Sequence, residues 1–530
     1  MKLDELTQRR WHRLQPAQRA AFFACIITGY LVHLYAFTNI VPCSDGLSRV
    51  YDPQQMTVSG RWFLHYASML NGFTQMPAVI GLLSMLLLGA AAALTVGLLR
   101  LRSRSLGGVC GAVMAAFPCL GYTFLYMFTA SAYCLAIFMA VLAVQLAVRG
   151  KGWFVPAVLL LAMAMGTYQA YAAMSIALSV LVVIEFLTRP EATLRGTLRL
   201  GGRLVAFLAL GAAAYYGILQ IFLRVKHVQL LSYLGMDTVM THYPLAKLPS
   251  LLVTTYKQVL AFFFIPGSAN GYDTPVLSVL NALLLAAAAV SLVAALRRGG
   301  LLRQPWRVLL LLVLILLFPL AINFGQIMSP YSAPTPIMKY AFVLVYLAAL
   351  LMLDKCDGRI PCPKAAGIAG AVCVCALLVC FLQTNNLLYT ASAQAHRATQ
   401  SYLTRMMTRV EDCDGYTPGM EVVIIGTVPD AQMHSAIESY AQVEHYSVPI
   451  HQVAPLNKHL YYYLNDWLSI PIEEPSQETM AAVAGSDAFA AMPLYPQQGS
   501  VKVLDGRVVV KLSEQYTPKS DFEIAFENRR

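Results

Sequence analysis

Two aspartates and two arginines, Asp45, Arg49, Asp52 and Arg61, fall within 17 residues of the stretch VPCSDGLSRVYDPQQMTVSGRWF (41–63), in a chain where only 12% of residues are charged. A carboxylate there could take a proton from a hydroxyl, and a guanidinium could hold a phosphate. Plainer roles compete. Asp45 in SDGL fits a turn or helix cap, and Asp52 before Pro53 fits a turn. Asp45 and Arg49 are four residues apart, the spacing of an ordinary ion pair on a helix. The surroundings decide between these roles.

The stretch lies between apolar runs. Of 530 residues, 58% are hydrophobic, and the mean hydropathy is +0.59. A soluble chain carries about a quarter charged residues. Apolar runs of about 17–25 residues recur here, each able to cross a hydrocarbon layer about 30 Å thick. The fold class is a polytopic α-helical membrane protein. Eleven spans are predicted, at roughly 20–38, 77–99, 106–121, 125–148, 153–167, 170–187, 204–223, 275–296, 308–323, 337–353 and 365–384. The first follows Arg19 without a small-residue cleavage site and reads as a retained helix rather than a signal peptide. The run at 251–266, LLVTTYKQVLAFFFIP, is short and broken by Lys257, so it is predicted to be re-entrant or interfacial.

The net charge of +11 joins unlike parts. Residues 1–384 carry 28 Lys/Arg and 10 Asp/Glu, whereas 385–530 carry 10 and 17. The basic excess sits in short loops, so it is no footprint of nucleic acid. Of those 28 cations, 21 fall on one side of the predicted spans and seven on the other. The richer side is therefore cytoplasmic, and a domain at 385–530 follows the membrane domain of 1–384 on the outer side. That tail reads as a small α/β unit. MEVVIIG (420–426) is a buried strand, PDAQMHSAIESYAQ (429–442) is helical, and SVKVLDGRVVVKL (500–512) is a hairpin about Asp505-Gly506. The cysteines lie mostly in apolar runs, and CDGRIPC (356–362) lacks the further ligands of a zinc site. No metal or cofactor is expected. Cys43 and Cys413 face outward as free thiols, with a disulfide between them the alternative.

Four acids of the membrane domain face outward: Asp45, Asp52, Asp237 and Asp273. Asp45 is nearest to a span, where partial burial strengthens a carboxylate as a base. The surrounding LSRVYDPQQMTVSGRWFLHYASML (47–70) has the periodicity of an amphipathic helix in the outer interface. Lys339, in SPYSAPTPIMKY, stands at the outer mouth of a span, where it must snorkel or bind something. The outward turn GTYQAY (166–171) offers Tyr168 and Gln169, suited to a sugar but also ordinary for a membrane interface.

These features resemble the bacterial O-antigen glucosyltransferase family, type II, within the type-C glycosyltransferases that use polyprenyl-phosphate sugars. An acid just after the first span carries the resemblance, with SGRW, the YMFTASAYCLAIFMAVLAV span, TYQAY and the terminal YPQQGSVKVLDGRVVVKL hairpin. Members begin the first outer loop with paired acids followed by an arginine. Asp45 matches the first acid and Arg49 the arginine, but Gly46 replaces the second acid. The resemblance implies a lipid-linked donor and an outward active site at the bacterial inner membrane. The expected enzyme moves a hexose, glucose by the resemblance, from a polyprenyl phosphate to a surface glycan or its lipid-linked precursor, with inversion. Asp45 is the expected general base, and Arg49, Arg61 and Lys339 are expected at the donor phosphate. Asp52, Tyr168 and Gln169 are expected at the sugar or acceptor. Two alternatives stand beside this reading: a transporter or flippase, and a non-catalytic anchor displaying the tail. Deep acids would favour a transporter, yet Glu185 is the only one within a predicted span.

Overall fold

The structure, a computed structural model, describes residues 14–47, 51–231, 243–266, 275–298, 304–355, 363–429, 443 and 453–519. It divides into two compact units, one of Met1–Ile40 with Gln54–Asn386, the other of Val41–Pro53 with Leu387–Arg530. The beginning of the first loop thus folds with the C-terminal part, a partnership that hydropathy does not signal.

The first unit is helical. Its helices are α1 (Pro16–Thr38), α2 (Leu64–Ser68), α3 (Pro77–Leu98), α4 (Arg104–Ala116), α5 (Pro118–Leu125), α6 (Met127–Arg149), α7 (Phe154–Thr167) and α8 (Ala172–Leu187). There follow α9 (Leu194–Val225), α10 (Leu248–Phe264), α11 (Pro275–Arg298), α12 (Pro305–Ile322), α13 (Phe324–Met328), α14 (Val343–Lys355) and the 49-residue α15 (Pro363–Glu411), which continues into the second unit. Among the described residues, nine helices are long and apolar enough to cross a membrane, with α4 and α5 together forming one of them. The shorter α7 and α14, of 14 and 13 residues, occupy two further predicted spans. The protein is therefore a polytopic helical membrane protein with a small C-terminal sheet.

Small residues set the closest contacts. A Cβ on Gly111 would lie 2.0 Å from the carbonyl oxygen of Ala21, and one on Gly107 would lie 2.5 Å from that of Ala17. Only glycine lets the α4 backbone lie directly on α1, the close approach that holds helices together where lipid supplies no hydrophobic drive.

Two expectations change in detail. The run at 251–266 lies mostly in α10, a continuous helix rather than irregular backbone. Leu251, Thr255, Val259, Phe262 and Phe263 form its buried side, while Lys257 is exposed. The single amphipathic helix expected over 47–70 is instead a series of short turns, Asp52–Gln54, Thr57–Ser59 and Met69–Asn71, around the five-residue α2. Pro53 has no N–H to continue a helix, and Gly60 adopts φ 79°, a left-handed conformation that ends one.

One span is broken. Phe117, with ψ 123°, separates α4 from α5, and Pro118 opens the second half. The last carbonyls of α4 thereby lose their helical donors and, in a membrane, must find others. Three different segments supply them. Tyr340 Oη donates to Met114 O (2.9 Å), His33 Nε2 lies 2.8 Å from Ala115 O, and Asn385 Nδ2 donates to Ala116 O (2.8 Å).

Several charged groups at the arginine-rich ends of these helices are paired. Glu185, 1% exposed, accepts from Arg189 and from Lys355 Nζ at 2.8 Å. Buried Arg307 donates to the carbonyls of Arg189, Pro190 and Ala192 just past α8. The Asp354 carboxylate accepts from the backbone N–H groups of Arg102 and Ser103, both at 3.0 Å, just before α4, whose cap is the Ser103 side chain. Glu185, the acid that a transporter would use, is thus committed to ion pairs.

The second unit contains β1 (Val422–Ile425), β2 (Val501–Leu504) and β3 (Arg507–Lys511), in the order β1-β3-β2. β2 and β3 form the expected hairpin, with Leu504 opposite Arg507 and positive φ at both Asp505 (49°) and Gly506 (75°). β1 joins β3 in parallel. Its other edge is closed by side chains: Ile424 N donates to Tyr461 Oη at 2.8 Å, and Asn457 Nδ2 donates to Ile424 O at 2.7 Å. Leu47 joins Val423, Ile424 and Val508–Val510 in the core. The helical stretch expected at 429–442 falls almost entirely outside the described residues.

Candidate active site

The SGRW and GTYQAY motifs, over a hundred positions apart in sequence, meet in the first unit. Phe63 N donates to Gly166 O at 2.7 Å. Trp62 lies against Gly166, where a Cβ would come within 2.5 Å of the indole, and stacks on Phe222 at 5.4 Å. Gln169, buried, uses both amide hydrogens, donating to Ser59 O (2.8 Å) and Tyr215 Oη (3.1 Å). Tyr215 Oη in turn donates to Gly60 O at 3.0 Å. From the other side, Lys226 Nζ donates to Thr57 Oγ1 at 2.9 Å. The loop from Thr57 to Phe63 is therefore anchored at successive residues by α7, the 166–171 turn and α9.

This anchoring places Arg61. Its guanidinium lies 4.6 Å from the centroid of the Tyr168 ring, and that ring stacks on Tyr133 at 4.9 Å with 14° between planes. A guanidinium over a buried tyrosine gains cation–π attraction while its donors stay directed elsewhere. Nearby, His65 stacks on Phe73 at 4.9 Å. Burial lowers its pKa, and Lys226 lowers it further, so the imidazole is neutral at neutral pH.

Lys339 lies between two short helical turns, Pro336–Met338 and Tyr340–Phe342, and is only 2% exposed. Among the described residues its ammonium has no carboxylate partner, and Nζ lies 6.0 Å from the centroid of the Phe262 ring. A buried ammonium without a counter-charge costs several kcal/mol unless something supplies one. It does not snorkel.

The predicted acids belong to the other unit. Asp45 is exposed, in the one-turn helix Ser44–Gly46, which is closed by Gly46 N donating to Cys43 O at 3.0 Å. Asp52 begins the turn Asp52–Gln54 and is half-buried. Both combine a turn position with some access to solvent. Cys43 and Cys413 are free thiols. Arg49, Asp237 and Asp273 lie outside the described residues, as does CDGRIPC.

Arg61, Tyr168 and Gln169 are thus brought together, and Lys339 belongs to the same unit. Tyr133, Tyr215, Tyr340, His33 and Asn385 escaped the reading of the sequence. Their signal was a polar group inside an apolar run, a placement that is costly in a membrane and marks a partner.

The family model for Glucosyl transferase GtrII matches residues 34–353, from within α1 to within α14. The chain belongs to that family. It is a membrane glucosyltransferase, acting between a sugar donor and an acceptor in a membrane environment. No curated protein and no solved structure matches it. The matched region of this glucosyltransferase includes Asp45, Asp52, Arg61, the 166–171 turn and Lys339, and it stops short of the C-terminal sheet.

Proposed function

We propose that this glucosyltransferase takes a hexose, glucose, from a polyprenyl-phosphate donor and passes it to a cell-surface glycan or its lipid-linked precursor. It works at the outer face of the bacterial inner membrane, with residues 385–530 as an extracytoplasmic domain on a membrane domain of 1–384. The observation that carries the donor reading is Lys339, a buried cation lacking a counter-charge among the described residues. A lipid phosphate supplies that charge from within the bilayer. The charge bias of the loops supports the orientation.

The reaction is a single displacement. The acceptor hydroxyl oxygen bonds to the anomeric carbon as the bond from that carbon to the phosphate oxygen breaks, inverting the centre. Asp45 takes the hydroxyl proton, and the electron pair of the broken bond leaves on the lipid phosphate. Arg49, Arg61 and Lys339 supply positive charge to that phosphate. Asp52 faces the sugar or acceptor. Tyr168 and Gln169, first read as sugar contacts, act here as positioning residues, because the Gln169 donors are taken up by the loop and Arg61 lies over the Tyr168 ring.

Asp45→Asn tests the base. The amide keeps the shape of the turn but is a far weaker base, and loss of a general base typically costs about 10²–10⁴ in rate. Transfer from a polyprenyl-phosphate glucose should fall by that factor in membranes holding normal amounts of protein, and less in Asp52→Asn. Transfer by Asp45→Asn near the wild-type rate would remove Asp45 from the chemistry.

A further inference from the structure

Buried hydroxyls in the helices of the first unit mostly satisfy themselves. Those of Thr95, Thr123, Thr167, Ser179 and Thr255 each donate to the carbonyl four residues back. Ser68 and Ser131, each 0% exposed, do not follow that pattern. Among the described residues neither hydroxyl has a hydrogen-bond partner. Gln54, also 0% exposed, is half-satisfied: its Nε2 donates to Phe128 O at 3.3 Å, whereas its Oε1 has no partner among the described residues. A buried polar atom left unpaired destabilises a fold and needs a reason.

The three side chains belong to one place. Phe128 O, in the first turn of α6, accepts from Asn71 Nδ2 (3.0 Å) as well as from Gln54. Ser131 follows Phe128 by three positions and Ser68 precedes Asn71 by three, a spacing that puts each pair on one helical face. α2 and the Met69–Asn71 turn pack against α6, which brings both hydroxyls to the side of α6 where the amides meet. Asn71, 2% exposed, is held from both ends of its amide. Its Oδ1 accepts from Phe73 N at 3.0 Å, in a turn where Gly72 and Phe73 both have positive φ (61° and 55°). It fixes the group, while Gln54, Ser68 and Ser131 have hydrogen-bonding capacity to spare. All four lie in the first unit. α6 ends at Arg149, on the cation-rich side, so its first turn faces outward in the orientation proposed above.

The chemistry of the set selects its ligand. A serine hydroxyl donates and accepts, and an amide oxygen accepts. A phosphate offers only acceptors and would meet Gln54 Oε1 acceptor to acceptor. A cation would find no carboxylate among the four. Sugar hydroxyls, which donate and accept at once, match all three open groups, and a few convergent neutral groups are what orients a polar ligand in a buried site. We propose that Gln54, Ser68 and Ser131 bind hydroxyls of the donor hexose and set which hexose is accepted, with Asn71 tying their turn to α6. This rests on the polyprenyl-phosphate reading above, in which the lipid carries the sugar to the outer end of the spans.

The test needs no acceptor. Purified full-length protein in detergent is titrated with glucosyl farnesyl phosphate, with its 2-deoxy, 3-deoxy, 4-deoxy and 6-deoxy analogues, and with farnesyl phosphate, which carries no sugar. Wild-type protein should bind the glucosyl ester about 3- to 10-fold more tightly than at least one deoxy analogue, the range of a neutral hydrogen bond. Ser131→Ala and Gln54→Leu should each erase such a preference and leave the affinity for farnesyl phosphate unchanged. The melting temperature of Ser131→Ala should hold or rise, because the hydroxyl removed has no described partner. Preferences that survive undiminished in both folded variants overturn the proposal, as does an equal weakening of the glucosyl ester and farnesyl phosphate. Equal binding of all the sugar esters by the wild type overturns it while leaving the donor reading intact. Binding of no ester overturns both.

Discussion

Lys355 and Lys339 flank the same helix, α14, and meet opposite fates. Lys355 reaches Glu185 at 2.8 Å, in a network where Arg189, Arg307 and Asp354 each have partners. Lys339 is more deeply buried, 2% exposed against a side-chain exposure of 21% for Lys355, yet no described carboxylate answers it. Packing alone would have selected a leucine or methionine at 339, since replacing buried charge by apolar side chains is often neutral or stabilising. A charge whose counter-charge is built in holds helices together. On the function proposed above, a charge with no counter-charge among the described residues is kept for a substrate phosphate.

That contrast can be broken or sharpened by substitution. The largest stability effect should come from Glu185→Leu, which leaves Lys355 and Arg189 without their acid. Breaking a buried pair costs about 3–5 kcal/mol, read as a large fall in melting temperature in detergent, with transfer per folded molecule little changed. A loss of transfer without destabilisation would make this end of the bundle functional. Gly166→Ala should cost about 1–3 kcal/mol, as overpacking does, because the new methyl meets Trp62. Here activity should fall as well, since the loop carrying Arg61 is displaced; a variant with full activity would show that the position of Arg61 does not matter. Asp354→Ala removes the acceptor of two backbone N–H groups just before α4 and should cost about 1 kcal/mol, with transfer per folded molecule unchanged. Smallest of all, Cys43 should resist alkylation in the folded protein. It is buried, and burial pushes its thiol pKa up, so almost none is thiolate at neutral pH. Fast labelling would show that its turn opens.

The membrane helices were legible because hydropathy over about 20 residues is a strong local signal. The hairpin at Asp505-Gly506 was legible because two positive φ angles demand such residues. The first loop was not. Its apolar spacing suggested one helix, but Pro53 and Gly60 divide it, and a periodic pattern cannot register where it is cut. The SGRW and GTYQAY motifs were each visible, whereas their contact is long-range and depends on Tyr215 in a third segment. Lys339 stood out as a charge near a span. That no described carboxylate pairs with it is a property of packing that no window of sequence contains.

The most direct test compares the two lysines side by side. Lys355→Met and Lys339→Met are purified, their melting temperatures recorded, and transfer from polyprenyl-phosphate glucose measured per folded molecule. Lys355→Met should melt lower and transfer normally. Lys339→Met should melt as the wild type or higher, and transfer about 10²–10³ more slowly, the typical loss when a group stabilising transition-state charge is removed. A Lys339→Met variant that melts lower and transfers at the wild-type rate would make both lysines structural and contradict the account.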